Sequence, residues 1–434
     1  MTPDQLVVQP GGHLSGSLSV PGDKSISHRA VMFGALADGV TEVRDCLMGE
    51  DVRATMGAFR AMGVSIDELE QGRLLRIHGV GRDGLKTPSG VLDCGNSGTS
   101  MRLLCGIVAG AGLAATLTGD HSLIRRPMRR VTEPLGLMGA VIHTADNGTP
   151  PLEIQAGQPL HGIRYAMPVA SAQVKSALLL AGLFASGQTE VTEPAITRDH
   201  TERMLRGFGV EVAVQGRQIS LAGGQRLRAT SIRVPADISS ATFFLVGAAI
   251  AGVTPLTVRA VGVNPSRTGV IDILRLMGAD LRLEQSRLIG GEPVADIAVH
   301  PAPLRGVTVP PELVPLAIDE FPALFVAAAC AEGRTVVTGA EELRHKESDR
   351  IETMAEGLRA LGVRVQTLPD GIIIDGQPSL GGATVEARGD HRIAMSFAMA
   401  GLRATAPITL EGAATIATSF PDFVPLARAA GLRL

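Results

Sequence analysis

The chain has 434 residues, 45% apolar and 19% charged, with a formal charge of −3. That is enough apolar material for two or three domain cores. With one Tyr, no Trp and 11 Phe, those cores must be made of Ala, Val, Leu and Ile. The mild negative balance and the scarcity of stacking platforms exclude a dedicated nucleic-acid binder. The N-terminus, MTPDQLVVQPGG, lacks the basic start and apolar stretch of a secretory signal, and the longest apolar run, FFLVGAAIAGV at 243–253, is too short to cross a bilayer. Cys46, Cys94, Cys105 and Cys330 show no CxxC spacing and no metal-type pairing with His, so reduced thiols in a soluble cytoplasmic protein are expected.

In chain order, residues 5–20 read as strands before any helix. From PGDKSISHR onward one unit recurs: strand, loop, first helix, strand, loop, second helix, two closing strands. In the second copy these are VLDC, GNSGTS, MRLLCGIVAGAG, AATLTG, DHSLIRRP, MRRVTEPLGLMG, AVIHTA and PLEIQAG. Each second helix ends in an apolar residue and a Gly before a strand-like run: FRAMGVSI, LGLMGAVI, LRGFGVEV, LRLMGADL, LRALGVRV and ARAAGLRL. The glycines, Gly63, Gly139, Gly209, Gly278, Gly362 and Gly431, are spaced 69 to 84 residues apart and sit where left-handed C-caps are expected. Units of that length do not suit an open solenoid.

The sixth copy stops at GLRL without its last strand, so the N-terminal strands are expected to complete its sheet. This divides the chain into a lobe of repeats one to three, 22–234, and a lobe of repeats four to six, 1–21 plus 235–434. The crossings near 21–22 and 234–235 are expected to act as a hinge that lets the lobes close on a ligand.

The polar stretches fall at helix starts: PGDKSISHR, GNSGTS, ASAQVKS, ADISS, AIDEFP and RGDHR before first helices, and HSLIRRP, ITRDHTER, NPSRTG, RHKESDR and IATSFPDF before second ones. Free N–H groups and the helix dipole suit such places to anions. Lys24, Arg29, Arg126, Arg198, Lys346, Arg350 and Arg392 add the cations of a cleft for phosphates and carboxylates. Plainer readings stand beside these. Asp319 precedes Pro322 and fits a helix cap. Glu347, among Lys346, Asp349 and Arg350, fits a solvated charged face. Of Arg125, Arg126, Arg129 and Arg130, only Arg126 is expected to face the cleft. His28, His200 and His391 read as supporting residues, and no HxH or HExxH spacing suggests a metal.

Taken together, PGDKSISHR, GNSGTSMR, RRP at 125–127, ASAQVKSA, TRDHTER, AIDEFP, HKESDRIE and GDHRIAM resemble the 5-enolpyruvylshikimate-3-phosphate synthase family, in its class II bacterial form, in family order over nearly the whole chain. The resemblance implies an α/β, two-lobed inside-out barrel of six βαβαββ-type units, three per lobe. It implies transfer of the enolpyruvyl group of phosphoenolpyruvate to the 5-hydroxyl of shikimate 3-phosphate, with release of phosphate, in the shikimate pathway that leads to chorismate and the aromatic amino acids. By motif, Lys24, Ser25 and Arg29 match the loop that meets both substrates. Ser171, the Ala172 backbone, Gln173 and Arg198 match the cradle for the shikimate phosphate, and Lys346 and Asp319 match groups on the ring hydroxyls. Arg126, Arg350 and Arg392, with N–H groups near Gly98 and Thr99 and with Gln173, match the clamp on phosphoenolpyruvate.

Addition followed by elimination needs a base for the attacking hydroxyl, expected to be Asp319, and an acid/base at the methylene carbon, expected to be Glu347 with Lys24 as the competing acid. Neither a metal nor an organic cofactor is expected, and a single chain suffices. One departure is visible: Thr418 stands in the loop before the FP dipeptide where many relatives carry Lys. Gly98 is kept where some glyphosate-tolerant relatives carry Ala, so inhibition by glyphosate is expected. Two alternatives remain. A UDP-N-acetylglucosamine enolpyruvyl transferase would carry a Lys-Asn pair in place of Lys24-Ser25 and a mobile-loop Cys, absent from 113–130. A non-catalytic ligand-binding repeat protein would not need the acid and base residues.

Overall fold

The computed structural model describes residues 3–434; residues 1 and 2 of the expected 1–21 segment lie outside the described residues. Two compact units emerge, one made of the chain up to Asp23 with Pro235–Leu434, the other of Lys24–Val234. Each has its own apolar core.

Three sheets of three to five strands belong to each unit, one sheet per copy, as the expected six-unit α/β architecture requires. The strands run from two to ten residues and pair mostly within their own copy. In the second copy Leu92–Asp93 pairs parallel with Ala115–Thr118, which runs antiparallel to Leu152–Ile154, and this strand takes Ile142–His143 on its far edge. The third copy repeats the order with Arg164–Ala166, Gln188–Thr192, Gln218–Ala222 and Ala213–Gln215.

The first copy borrows its opening strand. Leu227–Arg228 and Ser231–Arg233, from the far end of the same unit, pair parallel with Ala37–Arg44. The other unit closes in the same way with N-terminal segments. Gln5–Val8 lies antiparallel to Ile408–Glu411 in the sixth copy's sheet, whereas Gly16–Leu18 pairs parallel with Leu256–Gly262 in the fourth. The two N-terminal strands therefore serve different copies.

The two kinds of helix differ in burial because they differ in composition. First helices such as Ile238–Ala251 (ISSATFFLVGAAIA) and Phe321–Ala329 (FPALFVAAA) are apolar all round, and nearly every residue is buried. Second helices are amphipathic: along Glu50–Ala61 the buried positions are Asp51, Val52, Thr55, Met56, Ala58 and Phe59, spaced for one face. All six repeat glycines adopt positive φ, from +83° to +116°, as a left-handed helix stop requires.

The core helices Gly98–Gly110 and Ala172–Gly182 touch backbone to backbone. A Cβ on Gly106 would lie 2.2 Å from the carbonyl oxygen of Ala177, so only Gly permits this approach. The crossing also sets the spacing of the two N-terminal ends, where Thr99 and Gln173 are joined by a hydrogen bond. Gly136, in the helix Arg129–Leu137, has nothing within 4 Å of its missing Cβ. Gly106→Ala should therefore destabilise the protein by roughly 1–3 kcal/mol through overpacking. Gly136→Ala should stabilise it by roughly 0.5–1 kcal/mol by removing backbone freedom from the unfolded chain. Urea unfolding of the two variants checks both signs.

Candidate active site

In the unit Lys24–Val234 the motif residues Lys24, Gly98, Thr99, Ala172 and Gln173 lie in the first turns of buried helices. Lys24 opens the helix Lys24–Leu36; Gly98 and Thr99 open Gly98–Gly110 behind the cap Ser97, whose side chain accepts from Ser100 N; Ala172 and Gln173 open Ala172–Gly182 behind the cap Ser171, whose side chain accepts from Val174 N. In the last two, the cap hydroxyls of Ser97 and Ser171 satisfy an orphan N–H and start the helix inside the motif.

Hydrogen bonds tie these ends together. Gln173 Nε2 donates to Thr99 Oγ1 at 2.9 Å, and its Oε1 accepts from Arg102 Nη1 at 2.6 Å. Arg126, 7% exposed, donates to Asn96 Oδ1 at 2.8 Å, while Arg125 and Arg129 are exposed. A Cβ on Gly98 would lie 2.9 Å from Arg102 Nη1 and 3.1 Å from Arg126 Nη1, so two guanidinium groups flank this glycine. Arg29, 3% exposed, donates to Thr201 Oγ1 at 2.7 Å, Ser176 Oγ at 2.8 Å and the Ser25 carbonyl at 2.9 Å. It thereby fastens three helices. Lys24 pairs with the buried Asp51. Arg198 lies half-buried just before the helix His200–Gly207.

The other unit holds Asp319, Lys346, Glu347 and Arg350 in one cluster. The Arg350 side chain is 1% exposed; Nη1 donates to Asp319 Oδ1 at 3.2 Å, Nη2 to Glu347 Oε2 at 2.7 Å, and Nε to Asp390 Oδ2 at 2.7 Å. Lys346 Nζ stands 3.5 Å from Asp319. Burial alone would pull the guanidinium pKa down, but Asp390, then Glu347 and Asp319, outweigh it and push it above the ordinary arginine value. Asp390 caps the helix His391–Ala400, its Oδ1 accepting from Arg392 N at 2.9 Å, so Arg350 and Arg392 share an anchor. Thr418 Oγ1 lies 3.2 Å from His391 Nδ1, one residue from Arg392.

A second buried cation repeats this pattern. Arg267, 3% exposed, donates to Ser239 Oγ at 2.6 Å, Asp23 at 3.2 Å, Glu320 at 3.4 Å and Asp237 at 3.5 Å. Burial first, and then the charge of Asp23, lift the Asp237 carboxyl to about 6, with Arg267 and Arg392 opposing.

Asp51, Arg102, Asp390 and Arg267 escaped the sequence reading. Only Arg102 had a usable signal, one helical turn beyond Gly98 on the same face. The acid of Asp51 in a first helical turn looks like any dipole-stabilising residue.

Comparison with known proteins decides the family. The family model for EPSP synthase (3-phosphoshikimate 1-carboxyvinyltransferase) matches residues 8–426. The chain belongs to the EPSP synthase family. It is 63% identical over 427 residues to the 3-phosphoshikimate 1-carboxyvinyltransferase of Alkalilimnicola ehrlichii, covering 98% of this chain and 96% of that protein. It is 62% identical over 423 residues to that of Methylococcus capsulatus, with the same coverage. The EPSP synthase structure from Acinetobacter baumannii superposes with a TM-score of 0.87 at 56% identity over 99% of this chain and 98% of that one. The enolpyruvyl transferase NikO from Streptomyces tendae shares the fold at 19% identity, with a TM-score of 0.79 over 98% and 97% of the two chains. As an EPSP synthase family member the chain is an enzyme, a carboxyvinyltransferase of the shikimate pathway, which sets aside the wall-synthesis and non-catalytic alternatives. Among the described residues no helix is long and apolar enough to cross a membrane, and no His/Cys/Asp/Glu group could hold a metal.

The raised Asp237 carboxyl has a signed consequence. Its folded-state pKa of about 6 exceeds the unfolded value of 3.8, so its contribution to stability is complete below pH 3.8 and is lost as pH rises through 6. The difference in unfolding free energy between wild type and Asp237→Asn should therefore move in favour of the variant from pH 4 to pH 7. Chemical denaturation across about four pH values in that window checks the direction.

Proposed function

We propose that this chain carries out its family's reaction with Asp319 as base and Glu347 as acid and base. The reaction transfers the enolpyruvyl group of phosphoenolpyruvate to the 5-hydroxyl of shikimate 3-phosphate and expels phosphate. The observation that carries the reading is the buried Arg350, which holds Asp319 and Glu347 on its two terminal nitrogens. The chemistry needs two proton sites acting in opposite senses on neighbouring atoms, and two carboxylates indexed to one rigid fork meet that need.

In addition, Asp319 takes the proton of the attacking hydroxyl while Glu347, or Lys24, delivers one to the methylene carbon, giving a tetrahedral ketal phosphate. In elimination the Glu347 carboxylate removes a proton from the methyl group so formed, the methylene double bond is restored and phosphate leaves. Lys24, Arg126, Arg350 and Arg392, the N–H groups of Gly98 and Thr99, and Gln173 take the phosphoenolpyruvate charges. Ser171, the Ala172 backbone, Gln173 and Arg198 take the shikimate phosphate, Lys24, Ser25 and Arg29 form the loop that meets shikimate 3-phosphate beside them, and Lys346 and Asp319 take the ring hydroxyls. Support for the anion roles comes from helix N-termini at Gly98, Ala172 and His391, each with cations close by. This reading needs no cofactor, and it places the enzyme in the cytoplasm as a single chain.

Phosphate release measured with each acceptor tests it. Release with shikimate 3-phosphate and none with UDP-N-acetylglucosamine is expected; the reverse overturns the reading. Asp319→Asn and Glu347→Gln should each lower kcat by about 10²–10⁴-fold.

Glyphosate is proposed to bind where phosphoenolpyruvate does. A methyl at Gly98 would meet both Arg102 and Arg126 at about van der Waals limits or closer. The wild type should be inhibited, and Gly98→Ala should raise the inhibitory concentration by about tenfold or more while raising the KM for phosphoenolpyruvate less. Inhibition curves for the two proteins give the answer.

A further inference from the structure

Lys175 is a buried lysine of the Lys24–Val234 unit that the reaction scheme leaves without a task. Its side chain is 1% exposed, on the helix that begins with Ala172 and Gln173. Nζ lies 3.1 Å from Glu193 Oε2 and 2.7 Å from Glu202 Oε1, and both carboxylates are equally buried, at 3% and 2%. Glu193 follows the strand Gln188–Thr192, and its other oxygen accepts from Thr197 Oγ1. Glu202 lies in the first turn of His200–Gly207, and its Oε2 has no hydrogen-bond partner among the described residues. The segment 193–202, pinned at both ends to one ammonium, carries Arg198 between these attachment points.

Such an arrangement is a poor way to gain stability. Desolvating three charges offsets most of their attraction, and well-packed apolar residues do as well or better. One carboxylate oxygen left unmatched makes the balance worse. What the ammonium does achieve is geometric: it fixes the loop bearing Arg198 against the helix whose start bears Ser171, Ala172 and Gln173. Ser176, the next residue, makes a parallel fastening through Thr201 Oγ1 at 2.7 Å.

We propose that Lys175 is a positioning residue for the acceptor's phosphate, setting the distance between Arg198 and the Ser171–Gln173 helix start through Glu193 and Glu202. This rests on the reading of Arg198 and Ser171–Gln173 as the shikimate phosphate cradle. Lys175 itself touches no substrate. Its loss should weaken recognition of the phosphorylated acceptor and leave phosphoenolpyruvate alone.

The test compares full-length wild type, Lys175→Met and the double variant Lys175→Met/Glu202→Gln, which removes the carboxylate stranded by the first change. KM for shikimate 3-phosphate should rise by about tenfold or more in both variants, as loss of a buried ionic anchor implies, while KM for phosphoenolpyruvate and kcat stay within about twofold. An unchanged KM for shikimate 3-phosphate in a folded variant overturns the proposal. So does an equal rise in both KM values, which marks a merely structural role. If the Met variants do not fold, Lys175→Arg keeps the charge while displacing the contact, and it should raise the shikimate 3-phosphate KM alone; no rise there also overturns the idea. Failure of the underlying functional reading looks different: wild type would then release no phosphate with shikimate 3-phosphate at all.

Discussion

A guanidinium withdrawn from water must be matched by negative charge and by acceptors for all its N–H groups, and this requirement organises the unit that holds Arg350. Asp390, Asp319 and Glu347 meet it from three different segments. None of these can move without leaving a buried charge uncompensated, which costs about 3–5 kcal/mol. The carboxylates assigned to proton transfer are thus held by the same balance that holds the helix starts together. Rigidity at the site follows from desolvation, and the proposed proton transfers rely on that rigidity.

The repeat explains why the arrangement occurs twice. Arg267 lies just ahead of the second helix of the fourth copy and reaches Asp237, which caps the first helix of its own copy, and Glu320, just ahead of the first helix of the next. Arg350 opens the second helix of the fifth copy and reaches Asp319 and, one copy on, Asp390. The same step around the unit is made by equivalent residues. The sixth copy breaks the pattern with Thr418, whose hydroxyl meets His391 in place of an arginine fork. In the other unit the cations Lys24 and Arg29 sit on a first helix, where Lys24 pairs with Asp51 and Arg29 donates to the Thr201 hydroxyl, both on second helices.

What the sequence disclosed and what it hid follow from distance along the chain. The six glycines at Gly63, Gly139, Gly209, Gly278, Gly362 and Gly431 were legible because a left-handed helix stop is a local demand on one residue. The recurring order of strands and helices was legible for the same local reason, whereas the contrast between fully buried first helices and amphipathic second ones emerges from the structure. Strand pairing across copies was less legible: Gly16–Leu18 joins the fourth copy's sheet, where the chain's start suggested only the sixth. Nor does any periodicity encode the parallel pairing of Leu227–Arg228 and Ser231–Arg233, from the end of the third copy, with the first copy's Ala37–Arg44. At the site, motif residues were visible as types, but Arg29 meets Thr201 across 172 positions and Arg267 meets Asp23 across 244. No local pattern could announce those bonds.

The hidden partners share one property that bears on how such a site persists. Asp51, Asp390, Glu193 and Glu202 are acids buried beside cations, and a buried pair is seldom the most stable occupant of its volume. Their value lies in direction: a guanidinium or ammonium bonded on several sides has one orientation, whereas an apolar side chain of the same size has several. Anion-binding groups at helix starts need that constraint most. The dipole and free N–H groups act only over the first turn, and a helix start displaced by even a fraction of that turn aims them at the wrong atom. The costly buried charges therefore stand where geometry is worth more than stability.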